Sequence, residues 1–210
     1  FEAAASNTYA KSFVSGTGGA TIDNKAYSPT MSGVFSGSGG LFITNSGSGG
    51  NTTLSNINTY TGATTVGNGA HLKVTGSIAN SSGLTVQSGG KLSGSALTTN
   101  SKLPTTTFTG GTLEIDSQDT YQKSFVSGSG GTNLDSNSYT TTLSGDISGS
   151  GGLSISNSGS GGKTTLSSTN TYTGATTVGN GAHLKVTGSI ANSSGLTVQS
   201  GGILSGSALI

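Results

Sequence analysis

The sequence predicts an all-β chain: a right-handed parallel β-helix, or solenoid, of about 20-residue coils, carrying two tandem 112-residue repeats. Three observations carry this expectation. Residues 8–98 superpose on 120–210 at a constant shift of 112 without a gap, and between 59–97 and 171–209 one position differs, Lys91 against Ile203. A shorter period lies inside the long one: TTVGNGAHL at 64–72 aligns with LTVQSGGKL at 84–92 at a shift of 20, GGKL at 89–92 with GGTL at 110–113 at 21, and GGTL with GTNL at 131–134 at 21. Helix caps and a 3.6-residue apolar period are missing throughout, while Gly-Gly, Asn-Gly and Ser-Gly pairs separate short alternating stretches.

Each unit reads as a short strand, a turn and another short strand. Twenty residues arranged this way cannot bury a core alone, but stacked coils can, because their strands then hydrogen-bond from one coil to the next. At a strand spacing of about 4.8 Å, roughly ten coils give a rod on the order of 50 Å long. Residues 1–112 form the first repeat and residues 113–210 the second, incomplete at its C-terminal end, within one continuous solenoid.

Composition permits this reading. Charged residues are 7% and hydrophobic ones 30%, against roughly 25% and 45–50% in ordinary soluble domains. Low hydrophobicity favours disorder only when net charge is also high. Here the net charge is +1 and there are two prolines, while 38 glycines supply tight corners.

Differences between the repeats assign the faces. Ile22/Leu134, Met31/Leu143 and Phe35/Ile147 exchange one apolar residue for another, as burial worth about 1.5–3 kcal/mol per side chain demands. Val34/Asp146, Phe42/Ser154, Asn51/Lys163, Ile57/Thr169 and Lys91/Ile203 change character. Phe35, Leu41, Ile43 and Leu92 therefore point inward, and Val34, Phe42 and Lys91 outward, with Leu54, Tyr60 and Val66 among the inward set.

Several function classes are disfavoured. The eight basic residues are all lysine and are scattered, which argues against a nucleic-acid partner or a polybasic membrane anchor. No apolar run approaches the roughly 20 residues of a membrane span. Without cysteine there is neither a disulfide framework nor a thiolate metal site. The chain begins at Phe1 with no signal-like segment, which predicts a processed piece of a longer polypeptide.

Residues 39–66 carry a more specific pattern: Gly39-Gly40-Leu41, then Gly47-Ser48-Gly49, Leu54, Asn58-Thr59-Tyr60-Thr61-Gly62 and Thr64-Thr65-Val66, repeated from Gly151 to Val178. This resembles the passenger-associated repeats of bacterial autotransporters. The gap between GGL and GSG is longer than usual, and Ala63 replaces the second glycine of YTGG. The resemblance implies a secreted or outer-membrane-displayed passenger, extracellular on a bacterial surface, whose membrane barrel lies outside this sequence. It says little about activity, because one fold hosts many functions.

Candidate sites are few. His71 and His183 in GNGAHLKV read as exposed strand residues beside a turn, since the next coil aligns Lys91 or Ile203 with them, and neither is a metal ligand. Among the acids, Glu2, Asp23, Glu114, Asp116, Asp119, Asp135 and Asp146, only Glu114 and Asp116 are spaced to share an outward strand face, and the pair is not repeated. The GSGG turns lack the Asp of calcium-binding repeats and the following helix of a phosphate loop, so they read as corners. Thr65 and Thr85 align outward one coil apart, without a wider threonine grid for ice. Tyr60 and Tyr172 read as packing residues, and Tyr27 and Tyr139 as exposed aromatics open to a sugar.

No catalytic, cofactor-binding or metal-ligating residue is assigned, no cofactor is expected, and the ligand-binding residues stay open. The expected function is a structural or adhesive, non-enzymatic surface protein: a rigid stalk or fibre segment of an autotransporter-like adhesin. The alternatives are a module binding a host glycan or surface receptor through its outward face, with Val34, Phe42 and Ile57 as first-copy candidates, and a carbohydrate-active enzyme on the same scaffold. Unpaired strand edges at cut ends predict self-association end to end or into filaments.

Overall fold

Alternation of inward and outward residues, with glycine at most of the sharp corners, gives the chain little choice but short parallel strands. A computed structural model describes residues 1–207. Ala208, Leu209 and Ile210, where the second copy's match ends, lie outside the described residues. The described residues are all-β, a parallel β-solenoid of about nine coils of roughly 21 residues. One 3-10 turn, Ser95–Thr98, is the only helical element among them.

The chain divides into two compact units, residues 1–97 with 101–106, and residues 98–100 with 107–210. In the first unit, one ladder stacks Ala20–Asp23, Leu41–Thr44, Thr64–Val66 and Leu84–Gln87. A second ladder stacks Thr8–Tyr9, Thr30–Met31, Thr52–Leu54, His71–Val74 and Lys91–Ser93, and a third pairs Phe13–Val14 with Phe35–Ser36. The second unit contains the same three. Its first ladder is Thr112–Glu114, Thr132–Asp135, Leu153–Ser156, Thr176–Val178 and Leu196–Val198. Its second is Thr120–Tyr121, Thr140–Leu143, Lys163–Leu166, His183–Val186 and Ile203–Gly206, and its third pairs Phe125–Ser127 with Ile147–Ser148.

Every one of these pairings is parallel, and the registers match the sequence arithmetic. Thr85 lies on Thr65, Lys91 on His71 and Leu113 on Leu134. Parallel in-register stacking turns each strand position into a column. One inward column is aliphatic: Ile22, Ile43 and Val66 follow one another at 1%, 0% and 0% exposure. Leu41 is 2% exposed and its neighbour Phe42 40%, the alternation that the repeat differences predict.

Glycine is required where coils touch backbone to backbone. A Cβ on Gly39 would stand 1.7 Å from the Gly16 carbonyl oxygen, and one on Gly62 would stand 2.2 Å from the Gly40 nitrogen. Another corner does without glycine. Lys25 and Ala26 (φ 47° and 70°), like Asn137 and Ser138 (43° and 72°), sit in the left-handed region. They form the centre of turns closed by Tyr27 N–H to Asn24 O and Tyr139 N–H to Ser136 O. Two successive positive φ values define a type I′ turn, which normally selects Asn-Gly. Asp23 and Asn45 offset the cost by accepting the Lys25 and Ala26 N–H groups through their side chains.

One residue type in two places tests the column geometry. Ile43 is fully buried and Ile57 is 69% exposed. Ile43→Ala is expected to lower unfolding free energy by about 2–5 kcal/mol. Ile57→Thr, which installs the second copy's residue, should stay within about 0.5 kcal/mol. Urea denaturation followed by circular dichroism measures both.

Candidate functional site

The NTYTG motif turns out to be an inter-coil clamp. Asn58, 2% exposed, accepts the Phe35 N–H on Oδ1 and donates from Nδ2 to the Asn56 and Ser77 carbonyls. Asn170 does the same for Ile147, Ser168 and Ser189. The Tyr60 hydroxyl lies 2.6 Å from Thr64 Oγ1, which lies 2.9 Å from Ser81 Oγ, and Tyr172, Thr176 and Ser193 repeat the chain. Burial pushes the Tyr60 phenol up to about 12, against the opposing pull of Thr64 and Ser81, and raises Tyr172 for the same reason. These residues are packing residues, as the sequence suggests.

Glu114 and Asp116 are both half-buried on either side of the buried Ile115, and Asp116 accepts from the Tyr121 hydroxyl at 3.0 Å. The register sets Glu114 beside Asp135, whose Oδ1 accepts the Asn137 and Ser158 N–H groups. Asp23 does the same with Lys25 and Ser46, so these two acids brace the glycine-free corner. Lys25 also pairs with Glu2.

His71 and His183 lie on outward, half-buried strand positions, with Nε2 2.8 Å from Ser93 Oγ and 2.9 Å from Ser205 Oγ. Among the described residues no group of three or more His, Cys, Asp and Glu side chains is placed to hold a metal. Thr65 and Thr85 both lie outward and half-buried, in register. Tyr27 is 41% exposed, and Tyr139 is half-buried.

The feature that sequence reasoning missed is a hollow, found at the same place in both repeats. In the first unit an open groove of about 370 Å³ is floored by Gly18, Gly19 and Gly40 and flanked by Thr21, Phe42 and Thr65. In the second, one of about 310 Å³ is floored by Gly130, Gly131 and Gly152 and flanked by Asn133, Ser154 and Thr177. Thr21, Phe42 and Thr65 are consecutive members of one outward column. The groove exists because glycine corners leave no side chains to fill it. The signal for it was the coincidence of GGA, GGL and GAT at successive coils.

No known protein family matches the chain, and neither a curated protein nor a solved structure matches it significantly.

The corner acid supplies a pH test. Burial alone would raise the Asp23 carboxyl, but hydrogen bonds from the Ser46 side chain and backbone and the Lys25 backbone, with the Lys25 charge, bring it below its ordinary 3.8. A carboxyl depressed in the folded state contributes stability above its unfolded value, lost as pH falls through the folded one. The wild-type midpoint in urea is therefore expected to drop below about pH 4, and Asp23→Asn, which keeps an acceptor oxygen, should remove that part of the dependence.

Proposed function

We propose that this chain is a rigid β-helical stalk or fibre segment of a surface-displayed, autotransporter-like bacterial adhesin, with an extracellular location and no catalytic role. The observation that carries the reading is that each unit contains the same three ladders, built at equivalent positions of a nearly identical repeat. Duplicating such a unit adds coils without a new core, and reach grows with copy number. The low charge and the hydroxyl-rich outer columns suit a spacer in water. No helix among the described residues is long and apolar enough to cross a membrane.

The reading includes self-association end to end or into filaments, through the unpaired backbone groups that a terminal strand of a parallel ladder presents. Electron microscopy of polypeptides with one, two and three copies of the 112-residue repeat should show particle length rising by roughly 25 Å per copy at the 4.8 Å strand spacing. Rounded particles that grow in all directions would overturn the proposal.

A second reading, glycan binding on the outward face, is favoured by the groove at Phe42. An exposed aromatic ring beside backbone and threonine hydroxyls offers an apolar platform and polar groups to a sugar. The second copy is a built-in control, since Ser154 replaces the ring. On a glycan array, Phe42→Ser should weaken any neutral-sugar binding by roughly 2- to 10-fold. Unchanged binding would remove the groove as the site.

A further inference from the structure

The second ladder brings together side chains that are far apart in sequence. In the second unit, Thr164 pairs with Leu184 and Thr165 with Lys185, so the register places Lys163 beside His183. One strand spacing, about 4.8 Å, separates those two backbones, and Lys185 follows two residues on, about 6.5 Å along the strand. All three side chains are half-buried on the outer face, and the His183 ring is held by Ser205. The five strands of this ladder contain no carboxylate. Burial first, then the Lys163 and Lys185 charges, push the imidazole below its ordinary value, so at neutral pH it is uncharged between two ammonium groups.

The first unit surrounds its histidine with lysines by a different route. There Lys91 pairs with His71 from the following coil, Lys73 occupies the place of Lys185, and His71 is held by Ser93. Between 51–97 and 163–209 four positions differ: Asn51/Lys163, Asn56/Ser168, Ile57/Thr169 and Lys91/Ile203. The first and last of these flank the histidine from opposite sides. A lysine absent on one side of the ring is matched by one present on the other.

Like charges on neighbouring strands repel and lower stability, a cost that a ligand of opposite charge would offset. We propose that Lys163, His183 and Lys185 are a site for the carboxylate or sulfate groups of a linear acidic polysaccharide. The ammonium groups supply charge as adaptable point donors, and neighbouring Thr140, Thr142 and Ser205 hydroxyls suit sugar hydroxyls. A nucleic acid fits less well, because the chain has no arginine and these strands present no outward aromatic ring for a base. The inference stands apart from both the stalk reading and the groove at Phe42.

The test uses the whole 210-residue chain on surfaces bearing a sulfated glycosaminoglycan, a polyuronate, neutral dextran or duplex DNA. Binding to one or both acidic polysaccharides, weakening with salt and absent on dextran, is expected, and which of the two binds identifies the anion. K163Q/K185Q should weaken it by at least about tenfold. K11Q/K102Q, which removes as much charge elsewhere, should stay within about twofold, with circular dichroism unchanged in all variants. The proposal is overturned by no binding to either acidic polymer, by equal losses in K11Q/K102Q and K163Q/K185Q, or by tighter binding to DNA than to both polysaccharides.

Discussion

In-register parallel pairing between successive coils is the constraint on which the rest of this molecule depends. Once the backbone of one coil bonds to the next, a residue's environment is set by the residues about 20–23 positions before and after it. Ile22, Ile43 and Val66 form one buried column because Thr21, Phe42 and Thr65 form the exposed one beside it. An inward column is mainly aliphatic, with buried threonines such as Thr64 between Leu41 and Leu84, while its outward neighbour is free to vary. The same pairing forces backbone against backbone at the corners, which is why Gly39 and Gly62 have no room for a side chain.

Polar groups inside this framework serve the stacking itself. Asn58 and Asn170 reach across coils to backbone groups, and the Tyr60 and Tyr172 hydroxyls end in buried chains of Thr and Ser. These four side chains are tolerated inside because each of them is hydrogen-bonded. Asp23 and Asp135 spend their carboxylates on a corner that lacks glycine. Few charges are left over, and on the second unit's second ladder they are Lys163 and Lys185. Outward columns are where Phe42/Ser154 and Lys91/Ile203 exchange without disturbing the core.

Much of the fold was legible because a solenoid makes long-range contacts periodic in sequence. A shift of 20 between 64–72 and 84–92 is the register of the ladder, so Lys91 beside His71 could be read without coordinates. The alternation of Leu41, Phe42 and Ile43 followed from comparing two copies. The surface was less legible. Glu114 and Asp116 were read as neighbours, but the pairing of Glu114 with Asp135 on the next coil was not. Lys163 and His183 lie one coil apart, but the alignment of 163 with 183 runs through no shared residue pattern. The groove at Phe42 is made of absent side chains on three coils, which a linear reading does not register.

By itself the sequence determined that the chain is β, that it repeats, which residues fill the core and how far apart paired residues lie, because burial and backbone pairing impose period and alternation directly on residue type. The tertiary structure alone decided where each strand stops, how the Lys25–Ala26 corner closes without glycine, and which polar side chains share a patch of surface. Those depend on turn geometry and on distances across coils, and neither leaves a periodic trace in composition.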